Sequence, residues 1–339
     1  MALIVRGLGG PNPDKDTVYN DSAIAERVSA AEVRVAALAN KKIPKVVTVA
    51  TVADVTEALS GEEKKVEITL EDDLSLTDVL TIPAEKEVTL KLGNNKLSTT
   101  NNSGISILGK TTIEGGSIEG PSYVLNVSGS GNLTVTDTTI TSSRGQGITA
   151  WNNGSVTLNN VDITAQEGSV IVLDHADVNI NGGTFTGIDN FPIAGNGSAG
   201  RGGANVTIDG ATLVGHIQSA GYIACGAYWP NEGTLTIKNT TINSDGSGVV
   251  IRGGTVNIGE NVVINATGAT GVKGKVGDSR VVVGPYAIVY DANSKYPAMN
   301  TMELNIAADV QLNGTDGDID VMVMDGVEPN INRVDGGEM

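Results

Sequence analysis

Residues 132–185 read NLTVTDTTITSSRGQGITAWNNGSVTLNNVDITAQEGSVIVLDHADVNINGGTF, and their spacing decides the fold. Two apolar residues two apart, then a third five residues later, occur as Leu133/Val135/Ile140, Val156/Leu158/Ile163 and Val178/Ile180/Phe185. Alternation with a period of two is the mark of a strand with one buried face. Upstream the same triplet appears as Leu90/Leu92/Leu97 and Thr111/Ile113/Ile118. Downstream it appears as Val206/Ile208/Leu213, Leu235/Ile237/Ile242 and Val256/Ile258/Val263. From Leu90 to Val256 the first members advance by 21, 22, 23, 22, 28, 29 and 21 residues. A repeat near 22 is one turn of a solenoid. Each turn holds two short strands and a third apolar run, such as GSVIVL before Asp174 or SGVVI before Arg252. The reading is an all-β fold, a right-handed single-stranded parallel β-helix over residues 45–325. Its inward side chains should stack on their equivalents about 4.8 Å away along the axis.

The two long intervals place insertions at residues 188–203 and 216–232, expected to bulge from one side of neighbouring coils. Residues 268–300 break the pattern, Leu304/Ile306 resumes it, and residues 326–339 read as a loosely held tail. Ahead of the solenoid, Lys45 to Leu59 reads as a short strand and a short amphipathic helix. Asp21 and Ser22 offer N-cap side chains to an Ala-rich helix that ends before Pro44. Within it Ile24, Val28, Ala31, Val35 and Leu38 fall at spacings of 4, 3, 4 and 3, a heptad stripe. We expect a short α-helical coiled coil over residues 21–44 that joins identical chains, with three as the favoured number; the alternative is a single helix packed on its own domain. Residues 1–20 hold an apolar Leu3, Ile4, Val5 and Leu8 and a Gly/Pro turn, too little to fold alone. They read as an anchor that adds to a partner.

Composition narrows the function. Aromatic residues make up 3% of 339 and glycine numbers 44, which suits tight turns round a narrow core. A net charge of −17 repels nucleic-acid phosphates and anionic lipid, so neither partner is expected. Cys225 is alone, so there is no intrachain disulfide and no cysteine cluster for a metal. MALIVRGLGG lacks the apolar length of a signal peptide, and no run reaches the length of a membrane span. Synthesis in a cytoplasm is therefore expected, and Asn126, Asn132, Asn205 and Asn239 read as turn residues despite their sequon context.

The stretch VTVATVADVTEALSGEEKKVEITLEDDLSLTDVLTIPAEKEVTLKLGNNKLSTT (residues 47–100) resembles the opening of pectate-lyase-like β-helix domains. GAYWPNEGTLTIKNTTIN (residues 226–243) resembles the repeat of phage and bacterial surface β-helices. The order of apolar tag, Gly/Pro turn, small coiled coil and fibre body resembles head-fibre and other appendage proteins of tailed phages. These resemblances imply a β-helical fold over residues 45–266 and a place on a virion surface. One fold hosts many activities, so they imply no reaction.

Residues at equivalent positions of successive coils become neighbours, so a catalytic cluster would have to gather there. Asp137, Asn160, Gly182, Gly210, Asn239 and Glu260 share a turn and read as a structural ladder. Asp174-His175 is a lone Asp/His pair; Asp177 and Asp162 are the nearest further carboxylates, and nothing compels them to converge as a hydrolase requires. His216 opens an insertion without an acidic or Cys residue at metal-ligand spacing. Trp151 lies five residues before Val156, as Leu173 does before Val178 and Ile251 before Val256, which predicts an inward ring. Tyr228 and Trp229, placed in an insertion, are the candidate ligand contacts. The expectation is a structural, non-enzymatic virion appendage without cofactor or metal. Its first form is a homotrimeric head fibre that decorates the phage capsid, with a host surface glycan as a further partner. The runner-up is a tail fibre or tailspike that binds or cleaves host polysaccharide; a bacterial adhesin is weakened by the missing leader and anchor.

Overall fold

The apolar triplets become ladders. Leu133, Val156, Val178, Val206 and Leu235 pair in register across parallel strands, as do Val135, Leu158, Ile180, Ile208 and Ile237. Ile118, Ile140, Ile163, Phe185, Leu213 and Ile242 form the third column. All of these side chains are buried. A typical coil supplies two consecutive strands, such as Asn132–Thr136 and Thr139–Ser142, to a 20-stranded sheet, and a third, Gln146–Trp151, to a ten-stranded sheet. Every ladder in both sheets is parallel, and one apolar core lies between them, so this part of the chain is a parallel β-helix. The computed structural model describes residues 21–40, 43–196, 202–219, 221, 224–275, 281–292, 302–323 and 328–334. The chain divides into Met1–Ile43 and Pro44–Met339.

The first unit contains α1 (Asp21–Asn40). In the second, Lys45–Val49 pairs with Lys65–Leu70 and leads into α2 (Val52–Ser60). Thr51 caps α2 reciprocally: the Asp54 amide donates to Thr51 Oγ1 at 3.2 Å, and the Thr51 amide donates to Asp54 Oδ2 at 3.0 Å. Val55, Ala58 and Leu59 turn inward and join the core beside the first strands.

The turn between the two strands of a coil is a left-handed column. Asp137, Asn160 and Asn239 have φ near +50°, and Gly182 and Gly210 have φ of +74°. Asparagine, aspartate and glycine adopt that region most readily. Within the column Asn160 Nδ2 donates to Asp137 Oδ1 at 2.7 Å, and Asn239 Nδ2 reaches Asp209 Oδ1, the residue before Gly210, at 2.8 Å.

Several boundaries differ from the sequence reading. The first triplet is Val88/Leu90/Leu97, because a bulge between Lys91 and Lys96 absorbs two residues. Val263 pairs with Thr241, so Ile264 is the inward residue and Asn261, not Glu260, takes the left-handed position. Both insertions contain ladder strands, Phe191–Gly195 and Cys225–Trp229. The extra residues follow the first of these strands and precede the second, so they do not leave from one side. Tyr286–Asp291 is likewise a ladder strand inside the irregular stretch, and Val281–Gly284 forms an antiparallel pair with Val272–Lys275. Ile331–Val334 pairs with Glu303–Ala307, which carries the solenoid past residue 325 into the stretch read as a loose tail.

Candidate functional site

Strands of the ten-stranded sheet are buried on both faces over much of its length. One outward column runs Asn126, Thr149, Ile171, Ala194, Tyr228, Val250, Val289 and Asp320. Ile171, Leu173, Ala194, Tyr228, Val250 and Val289 form a second apolar cluster, separate from the core, with Trp151, Phe191, Tyr286 and Met322 packed against it. Such strands lose the polar alternation that marks a solvated face.

That burial corrects the expected ligand contact. Trp229 is 0% exposed and belongs to the core; its indole Nε1 donates to the Gly233 carbonyl at 3.3 Å. Tyr228 takes the opposite face and is 4% exposed. Its ring stacks on Phe191 with centroids 5.3 Å apart at 25°. Arg252 Nη1 donates to the Tyr228 hydroxyl oxygen at 3.1 Å, and Arg252 Nε donates to Asp291 Oδ2 at 2.8 Å. The guanidinium carbon lies 5.4 Å from the Tyr228 centroid, within cation–π range. Both charged side chains have left solvent, so the pair is a structural clamp on the outer face, not an open contact. Burial pushes the neighbouring Cys225 thiol up, out of the range in which it ionises near neutrality. Burial and then the charge of Asp291 raise the carboxyl of Asp320.

Trp151 is the second correction, since its ring is half-buried and lies with the outward cluster. Six residues separate the inward Ala150 from Val156 and Val172 from Val178, but five separate Ile251 from Val256. Counting back from the next strand therefore slipped by one, and a one-residue slip exchanges the two faces. The Trp151 indole Nε1 donates to Asn126 Oδ1 at 2.7 Å, across the ladder to the preceding coil. Ser103, Tyr123, Asn126, Thr149, Trp151 and Leu173 line an open groove of about 340 Å³ on this face. Tyr123 is 42% exposed.

The other polar candidates have structural partners. Asp174 and His175 both have positive φ, +56° and +58°, and so are central residues of a tight turn. Asp162 Oδ1 accepts from the Thr184 amide at 2.8 Å, and Asp177 Oδ1 accepts from Asn205 Nδ2 at 3.0 Å. His216 does have an acidic neighbour, Asp245 one coil on, with Nδ1 to Oδ2 at 2.6 Å. Asp189 Oδ1 accepts the Gln218 and Ser219 amides at 2.6 Å each. Against the cost of burial, Ser219 and these amides hold the Asp189 carboxyl below its ordinary value, aided by nearby His216. Among the described residues no three His, Cys, Asp or Glu side chains converge as a metal site would require.

In α1 every described side chain, from Ala25 to Arg34, is exposed; Val28 is 50% and Val33 65% exposed. Ala31 is exposed with them, while the side chains of Ile24, Val35 and Leu38 lie outside the described residues, as do Leu3, Ile4, Val5 and Leu8. No described helix is long and apolar enough to cross a membrane. No protein-family model, curated protein or solved structure matches the chain.

Proposed function

We propose that the protein is a structural virion appendage without catalytic activity, a homotrimeric phage head fibre held to the capsid by residues 1–20 and displaying a right-handed β-helix for adhesion. The observation that carries this reading is α1. It spans 20 residues, and Val28 and Ala31 of its heptad stripe are exposed. In proteins most of a helix's stability comes from packing of an apolar face rather than from intrinsic propensity. Ile24, Ala31 and Leu38 at one core position, with Val28 and Val35 at the other, supply such a face to other copies. The right hand follows from the strong preference of parallel crossovers for that chirality. A body of repeated coils bound by asparagine ladders suits display. Asn305 Nδ2 donates to Asn257 Oδ1 and Asn332 Nδ2 to Asn305 Oδ1, both at 2.9 Å.

Light scattering on the full chain tests the reading. We expect the mass of three chains, and about one-third of it for Val28→Asp combined with Val35→Asp, with β circular dichroism unchanged. A parent that is monomeric, or an oligomer indifferent to both charges, overturns the coiled coil. A second reading, a tail fibre or tailspike that holds host polysaccharide, draws on the groove beside Trp151. Imaging of native particles separates capsid from tail attachment.

A further inference from the structure

We infer that the groove beside Trp151 is a binding site for a neutral saccharide. Its chemistry starts with one aromatic wall whose position is set by the fold. The Trp151 indole is tied through Nε1 to Asn126 Oδ1 at 2.7 Å, and Leu173 of the following coil packs in the same groove. A second ring, Tyr123, is 42% exposed on the same groove. Pyranose rings present C–H faces that pack on indole and phenol rings, and equatorial hydroxyls that need polar partners at the rim. Ser103, Asn126 and Thr149 supply those partners. The Thr149 hydroxyl donates to Gln146 Oε1 at 2.6 Å, so what its oxygen can still offer is acceptor lone pairs.

Charge and position select the ligand class. None of the six lining residues carries a formal charge, and the chain as a whole is at −17. An anionic sugar or an anionic lipid surface would find no cation in the groove and a repulsive field around it. A peptide that binds by strand addition requires a sheet edge. This groove lies on a sheet face, where Asn126, Thr149 and Ile171 are consecutive members of one ladder. The volume, about 340 Å³, lies at the lower end of small-ligand sites, which suits a short stretch of a chain passing over an open face. The apolar strip to which Trp151 belongs is buried over the next coils, at Ile171, Ala194 and Tyr228, and opens at this groove. The site is complete within one chain, so it does not rest on the trimer or on virion attachment.

The test is titration of the full chain with neutral hexose and N-acetylhexosamine oligosaccharides beside uronic-acid oligomers, followed by tryptophan fluorescence. Trp229 is wholly buried, so a saturable change reports Trp151. We expect saturation by at least one neutral oligosaccharide. Trp151→Ala and Tyr123→Ala should each weaken it about tenfold or more, the scale of losing one ring contact. Trp151→Phe should retain part of the affinity. If Trp151→Ala lowers the melting temperature, Tyr123→Ala decides, because that ring is largely outside the packing. Three outcomes overturn the site: no neutral oligosaccharide binds at millimolar concentration, the uronic-acid oligomers bind better, or both alanine variants bind like the parent.

Discussion

Ile180 and Asp291 mark two ways in which single side chains hold this molecule. Ile180 sits between Leu158 and Ile208 in the core and is 0% exposed. A carboxylate there would lose water without gaining a partner, since its neighbours above and below are alkyl groups. Ile180→Asp should therefore cost several kcal/mol and lower the melting temperature sharply; a variant that melts like the parent would mean that the register is wrong. Arg252 and Asp291 are a buried charge pair on the opposite face of the ten-stranded sheet. Removing Asp291 takes from the buried Arg252 the carboxylate that its Nε holds at 2.8 Å, so Asp291→Ala should cost about 3–5 kcal/mol. Replacing both, as Arg252→Met with Asp291→Leu, should cost much less than the sum of the single changes. A double-mutant cycle by denaturant unfolding measures the difference, and additive costs would show that the pair is not coupled.

At the scale of strands and turns, the 22-residue repeat and its inward triplets were legible because alternation and turn chemistry agree from Leu133 to Ile242. Legibility failed where one of these signals was missing. Phe191–Gly195 and Cys225–Trp229 are buried on both faces over nearly all of their length, so neither alternates, and they read as insertions. The groove beside Trp151 was missed for a smaller reason, a turn one residue shorter in the coil chosen for comparison. The pairing of His216 with Asp245 spans 29 residues, one coil, which a search at local ligand spacings cannot see. The left-handed turn column was legible, and a prediction sets its Gly210 against Gly183, the residue that follows Gly182 of the column. Gly183 has φ of +91°, and a Cβ there would lie 2.1 Å from the Val161 carbonyl oxygen. Gly183→Ala must therefore move backbone and adopt a conformation that L-residues avoid, at a cost of about 1–3 kcal/mol or more. Gly210 shares a positive φ of +74° but has open space around its missing Cβ, so Gly210→Asn should be nearly neutral. Comparing the two melting temperatures checks whether packing or φ governs the column; equal losses would assign the effect to φ alone.

For the whole molecule, the proposed function assigns stability and attachment to different parts of the chain. In a solenoid each coil meets only its neighbours, so stability is close to a sum of coil-to-coil interfaces. The unit Pro44–Met339 holds those interfaces, from the pairing of Lys45–Val49 with Lys65–Leu70 onward. Leu3, Ile4, Val5 and Leu8 are apolar residues that precede α1 in sequence, in a chain of charge −17. Apolar surface is useful when a partner covers it. Burying a few hundred Å² per chain, at about 25 cal/mol per Å², yields several kcal/mol before ordering costs. Three linked anchors would turn that modest term into firm attachment, because the second and third bind at high effective concentration. Deletion of residues 1–19 should thus leave a folded β-helix of unchanged oligomeric mass that no longer sediments with virus particles. Truncated protein that still decorates particles at the parental level would place the anchor in the β-helix and overturn attachment through residues 1–20. Truncated protein that loses both its oligomeric mass and its attachment would tie anchoring to the seam, and restoring the trimer with an unrelated coiled coil would then show whether Leu3 to Leu8 bind on their own.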